Sequence, residues 1–378
     1  MTNFTRAIAQ DVNGRIWFGT KKGISILDPQ ENSWEHISNL ATTHKQPDIV
    51  MTLEADEGAM WVGTYNHGSY RVDVNTLQST QVEDGENPLE LQKVYTINKD
   101  FSGNIWMGGM DGPLTRFSKP DGAMRTLPIQ HIKAILETRE GEVFVAGRYG
   151  VYKIGEGGKE FQIIEQLSPN KNRLAYSTIN AIEESGNGML VLATNGAGLL
   201  FYNRETQAVQ QIDIQKGMPS DIVQGILQQD KNNYWASTSN GLAHLHIDEK
   251  DTLITVYDKR DGLTSTEFNY GSYARLRDGR FAFGGIGGVT IFDPGAIYED
   301  GFEPLVAFEQ FKIFNKKINP GEGPLASYIN VADSIKLKHS QNSIEIGFTG
   351  ILQKAAAKVK YSWMLENFDK RWSVPSTN

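Results

Sequence analysis

The chain of 378 residues contains no cysteine. A thiol nucleophile, a disulfide framework and a thiolate metal site are therefore excluded, although proteins of the cytoplasm and of the bacterial periplasm can both do without the residue. Positive charge is also short, with 37 Lys and Arg against 45 Asp and Glu and a formal net charge of −8. A nucleic-acid binder needs a basic footprint, so no nucleic-acid partner is expected. No run of 18 apolar residues occurs, and no membrane-spanning helix is expected in the chain. The opening Met1-Thr2-Asn3-Phe4-Thr5-Arg6 lacks the apolar stretch of an export signal. The chain is then either cytoplasmic or separated from a signal that lies outside it. There is no Gly-x-Ser-x-Gly elbow and no phosphate-binding loop. The glycine run at 284–288 lacks the strand before and helix after it that such a loop requires.

What is present is glycine, 38 of them, and a repeat. The first copy reads Asp11-x-x-Gly14-Arg15-Ile16-Trp17-Phe18-Gly19-Thr20-x-x-Gly23-Ile24. Later copies centre on Trp61, Trp106 and Trp235, and degenerate ones on Phe144, Val191 and Ala282. The spacings of this slot are 44, 45, 38, 47, 44 and 47 residues. Short strands at a period of roughly 40–45 residues match one four-stranded propeller blade. In the first copy, residues 4–10 form an inner strand, 11–14 a tight Asp/Gly turn, 15–20 a second strand, 24–27 a third and 34–37 an outer one. The tryptophans fill the wedge between blades and are read as scaffold rather than as ligand contacts. The seventh blade runs from Tyr273 to Asp293, and no outer strand follows it before Pro304. It is expected to have three strands or to borrow one.

The repeat resembles the two-component regulator propeller repeat, found in extracytoplasmic sensor regions of bacterial hybrid histidine kinases. The likeness covers about residues 4–294. Sialidase Asp boxes look similar but carry a Ser where Ala9, Glu54 and Asn98 stand here. From Pro304 the pattern changes to longer alternating segments at 305–313, 334–337 and 343–348, followed by the stretch 359–372 with Tyr361, Trp363, Asn367 and Trp372. This tail is similar to the triple-tyrosine domain, an immunoglobulin-like β-sandwich that follows the propeller in that family. Two departures are Trp363 for a usual Tyr and Asn367 for a usual Gly; Asn tolerates the left-handed conformation. The fold class expected is all-β: a seven-bladed propeller at 1–300, then an incomplete immunoglobulin-like sandwich at 301–378. The resemblance implies a periplasmic, membrane-tethered sensor region that signals through its tail domain, possible as a homodimer, with the kinase outside this chain.

Turns between the second and third strands share one rim with the links between blades. Lys21, Tyr65, Asn66, His67, Asp111, Arg148, Tyr149, Asn195 and Asn240 stand there, with the links 39–48, 84–91, 168–178 and 258–270. Loops held by a rigid scaffold are where binding residues concentrate. Aromatic faces beside Arg, Asn and Asp suit a sugar, and these residues are the expected contacts for a small-molecule or oligosaccharide ligand. Catalytic residues, cofactors and metals are not expected. His244-x-His246 could form a metal pair but is read as two satisfied histidines. A propeller lyase of the virginiamycin type would need a His and an acid together, for which His67 with Asp111 is the available pair. A protein-interaction platform, as in WD-repeat propellers, is the other alternative.

Overall fold

The computed structural model describes residues 3–84, 87–88, 90–119, 122–169, 174–248, 251–297, 305–351, 359 and 361–373. Residues 1–297 and 298–378 form two compact units. In the first, six four-stranded antiparallel sheets and a seventh of three strands follow one another in chain order. The strands of the first blade are Thr5–Gln10, Ile16–Thr20, Gly23–Asp28 and Ser33–Ile37. Each sheet pairs its strands in sequence, as expected of hairpins.

The repeated Asp does more than close a turn. Asp11 accepts the backbone N–H groups of Asn13 and Arg15 through Oδ1, at 2.9 and 3.0 Å, and the Trp17 indole N–H through Oδ2 at 2.8 Å. Asp56 and Asp100 take the indole N–H of Trp61 and Trp106 at 3.3 and 2.9 Å. In the sixth blade Gln229 replaces the carboxylate, bonding Trp235 at 2.8 Å. A ring that must be buried for packing thus has its one donor satisfied by the turn beside it. The Gly of Trp-x-Gly serves the next blade. A Cβ on Gly19 would lie 2.6 Å from Val50, on Gly63 2.8 Å from Val94 and on Gly108 2.6 Å from Ile132, each on the following inner strand.

Carboxylates also stitch neighbouring blades. Glu54 accepts the Lys99 N–H at 3.4 Å, and Glu183 accepts the Gln228 N–H at 3.2 Å. Burial pushes both carboxyls up to about 7. The ring closes where the seventh blade meets the first. Leu276 and Ala282 pack with Ile8, Ile16 and Phe18, and Asn269 donates to the Thr5 carbonyl at 2.7 Å. Among the described residues the seventh blade has the three strands Phe268–Arg275, Phe281–Gly285 and Gly288–Phe292. Its inner strand begins at Phe268 and not at Tyr273, because residues 269–272 bulge out of the ladder and so break the alternating pattern.

The second unit contains one sheet among the described residues, with Leu305–Ile313 between Lys316–Ile318 and Ile344–Ile351. Phe311, Ile313 and Leu325 form its core. Residues 334–337, expected as a strand, join no ladder. Ile335 packs against that core while Leu337 is exposed, so the apolar alternation marks an extended segment lying on the sheet's core. The Tyr361 hydroxyl accepts the Gly350 N–H at 2.9 Å. Asn367 has φ 65°, the left-handed conformation expected where Gly is usual. Pro304 and Lys360 lie outside the described residues.

Candidate functional site

Every inner strand slips register near its start. The slips fall between Thr5/Ala7, Val50/Thr52, Val94/Thr96, Ile132/Ala134, Ile179/Ala181, Val223/Gly225 and Phe268/Tyr273. The residues left out of the ladder are Arg6, Met51, Tyr95, Lys133, Asn180, Gln224 and, in the seventh blade, 269–272. A bulge re-aims the side chain it carries, and here seven of them recur at the same level of the ring.

Contacts between blades that are not neighbours show where these side chains go. Tyr270 of the seventh blade lies 6.0 Å from the ring of Tyr95 in the third. The Lys133 ammonium of the fourth blade stands 4.2 Å from the Tyr270 ring centroid. Such pairs meet only across the propeller axis. Lys133 also donates to Asn180 Oδ1 at 3.0 Å, and Asn180 donates on to Gln224 Oε1 at 3.2 Å. The Arg6 guanidinium stands close enough to the Tyr270 phenol to oppose the upward shift of its pKa, and lies 5.0 Å from the Phe4 ring. Tyr65, exposed on the rim, stacks on Tyr95 at 6.4 Å and carries the aromatic surface outward. The mouth of the axis is therefore floored by Tyr270, walled by aromatics on one side and by amides on the other.

The electrostatics of this mouth are one-sided. Among the described residues no carboxylate pairs with Arg6 or Lys133. Asp111, the carboxylate that bears on Tyr95, is held by Lys93 at 2.9 Å. Burial alone pushes the Lys133 ammonium down to about 8, and burial likewise pushes the Tyr270 phenol up. Arg6 Nε is buried without a hydrogen-bond partner.

The residues expected on the rim separate into distinct groups. Lys21 sits over Phe4 at 3.8 Å, next to Arg6, and Tyr65 belongs to the axial stack. Asn66 is exposed in the same turn. Arg148 and Tyr149 form a separate cluster, with the Tyr149 ring edge-on to His131 at 5.4 Å. Asn195 forms a β-bridge with Ile222, and Asn240 bonds the Pro219 carbonyl at 3.2 Å; both tie backbone. Residues 85–86, 89 and 170–173 of the rim links lie outside the described residues.

His67 does not meet Asp111. It bonds Asp48 Oδ1 at 2.6 Å and stacks on His44 at 3.9 Å, and His44 bonds Asp48 at 2.9 Å. The linker preceding the second blade supplies the acid, which proximity of turns in sequence could not reveal. The ligand atoms of His44, Asp48 and His67 lie within 4.8 Å of one another, the one such set among the described residues. To hold an ion, both Nδ1 atoms would have to leave Asp48 and the stacked rings would have to splay. In the geometry described, the set is a hydrogen-bonded triad around a fully buried carboxylate that also accepts the Leu40 N–H at 2.6 Å. His246 bonds Asn233 Oδ1 at 2.9 Å, and His244 stacks on Trp235 at 4.6 Å, so the two are engaged separately.

Sequence reasoning missed Arg6, Tyr95, Lys133, Asn180, Gln224 and Tyr270. A signal existed. Arg6, Tyr95, Lys133, Asn180 and Gln224 each stand 11 residues before the tryptophan slot at 17, 106, 144, 191 and 235. Met51 stands ten before Trp61 because the turn there is one residue shorter.

Comparison with known proteins agrees with this architecture. Residues 1–22 match the family model for the two component regulator propeller. The chain is 24% identical over 397 residues to a histidine kinase of Formosa agariphila, covering 99% of the chain and 28% of that protein. The extracellular domain of a proposed hybrid two component system from B. thetaiotaomicron superposes with a TM-score of 0.71 at 21% identity, over 98% of this chain and 50% of that one. A second such domain from the same organism gives 0.63 at 17% identity, over 82% and 41%. The chain thus spans about half or less of the relatives it matches. The resemblance drawn from the repeats, and the all-β propeller class, are borne out. Among the described residues no helix is long and apolar enough to cross a membrane.

Proposed function

We propose that this chain is the ligand-recognition region of a sensor histidine kinase or related receptor, held outside the cytoplasm, with its propeller mouth as the binding site. The observation that carries this reading is the convergence of bulged side chains from separate blades on one mouth. A repeated scaffold needs no such variety at its axis. The ligand class that fits is a carbohydrate. Tyr65, backed by the buried Tyr95, offers a face for the apolar side of a pyranose, while Gln224 and the Tyr270 hydroxyl offer partners for its hydroxyls. The region recognises its ligand without turning it over, since His67 and Asp111 are engaged elsewhere and apart. The signal then passes through the second unit towards a membrane anchor and a kinase beyond this chain, in a periplasmic dimer.

A thermal-shift screen of the chain against an oligosaccharide panel tests the reading. Ligand at about a hundred times its dissociation constant adds roughly 2.7 kcal/mol of stability. A selective shift that disappears in Tyr65→Ala supports recognition at the mouth. A selective shift unchanged in Tyr65→Ala and in Gln224→Ala moves the site elsewhere.

A further inference from the structure

The two part-buried cations at the mouth, Arg6 and Lys133, lack what cations withdrawn from solvent ordinarily have. Buried charge is usually paired, because desolvation is costly. Arg6 and Lys133 come from blades on different sides of the axis and both reach Tyr270, one beside its phenol and one at its ring face. Their other partners are neutral: Phe4 for Arg6, and the Asn180 carbonyl oxygen for Lys133. The acid that bears on the aromatic stack beside them is spent, since Asp111 is paired with Lys93. The asymmetry is local, since the chain as a whole is acidic by eight charges. An acidic protein that keeps two unpaired cations over one phenol ring has built a place for a negative charge from outside.

We propose that the axial mouth takes an anionic group, a carboxylate or sulfate borne on a polar ligand, between the Arg6 guanidinium and the Lys133 ammonium above Tyr270. This deepens the recognition reading and rests on it for the rest of the ligand. Arg6 offers a planar fork suited to two oxygens of such a group, and Lys133 a point charge against a third. The aromatic stack from Tyr95 to Tyr65 then lies beside the anion, where the apolar face of an acidic sugar would rest. Burial holds Lys133 down to about 8, which leaves it an ammonium at neutral pH, and an arriving anion would favour that form further.

The test measures melting and calorimetric binding of the 378-residue chain with sodium sulfate, glucuronate and glucose, at ionic strength matched by sodium chloride. Lys133→Met, Arg6→Gln and the distant Arg148→Gln are compared with the wild type. The expected result is that sulfate and glucuronate raise the wild-type and Arg148→Gln melting temperatures. Either mouth substitution should weaken glucuronate binding by about tenfold or more, the effect of one charge-assisted hydrogen bond. Lys133→Met should melt no lower than the wild type in anion-free buffer, since it removes an unpaired, part-buried cation. The proposal is overturned if neither anion stabilises the wild type, or if Lys133→Met and the wild type respond alike. Glucuronate binding that ignores both mouth substitutions would leave recognition standing and sink the anion site. Sulfate binding that depends on Lys133, with no sugar bound, would do the reverse.

Discussion

The two ends of each inner strand obey different rules. At the end leading into the Asp turn the backbone repeats and, in several blades, so do the side chains: Asp11, Asp56 and Asp100 bind the indoles of Trp17, Trp61 and Trp106 in the same way, and Gln229 does so for Trp235. At the starting end only the backbone repeats. Every blade has its bulge there, yet the bulges carry Arg6, Met51, Tyr95, Lys133, Asn180, Gln224 and the longer insert with Tyr270. Repeated side chains on a repeated backbone serve packing, which is the same problem in every blade. Different side chains on a repeated backbone serve something that is not seven-fold. The sequence repeat therefore points towards the scaffold and away from the site.

Substitutions at the two ends should separate cleanly. Asp11→Ala removes the acceptor of two backbone N–H groups and an indole N–H, and leaves the largely buried Arg15 beside it with only the more exposed Glu35. Chemical denaturation should show a loss of about 3–5 kcal/mol, with any ligand binding of the folded fraction unchanged. A loss below about 1 kcal/mol would mean the Asp–Trp bond is incidental.

The buried carboxylates at the scaffold end give a pH effect. Glu54 and Glu183 have folded values of about 7 against an ordinary 4.5. A carboxyl raised on folding contributes stability that is fully present below its unfolded value and is lost as pH rises through the folded one. Melting should therefore fall between pH 5 and 8, by the equivalent of about 3 kcal/mol for each group. Glu183→Gln retains an acceptor for Gln228 and should melt higher than the wild type at pH 8, with a flatter profile. An unchanged slope in the Glu54→Gln, Glu183→Gln double variant would refute the assignment.

Asp48→Asn should cost about 1–3 kcal/mol by leaving His44 and His67 without their shared carboxylate. It should also release the 39–48 link, read as faster amide exchange at Leu40. At the mouth, Tyr65→Ala should change stability by less than about 0.5 kcal/mol, because the ring stands on the exposed rim. Its effect belongs in binding alone. A destabilisation as large as that of Asp11→Ala would erase the distinction between the two ends.

How much of this was legible follows from the same contrast. The tryptophan slot located seven blades, and the unpaired end of the seventh was foreseen from the lack of an apolar segment after Asp293. The rim was read as one set of turns, whereas the contacts of its residues fall into separate groups. Tyr65 and Lys21 look towards the axis, Arg148 and Tyr149 towards His131, and His67 towards a linker acid. The axial residues escaped because a polar residue near a strand's start reads as ordinary alternation. Residues 269–272 escaped because four residues outside the ladder look like a loop in sequence. Their role depends on contacts across the ring, between positions more than a hundred residues apart, such as Lys133 and Tyr270.

The insert in the seventh blade has one further consequence. A ring of seven like blades offers a visitor seven rotated poses of nearly equal merit, and a receptor that accepts all of them reports little. One blade longer than the rest by a few residues, leaning a single phenol across the centre, gives the ring a notch. On the proposed reading the mouth then has a top and a bottom, and a bound molecule would sit in it one way round, so that occupancy acquires a direction.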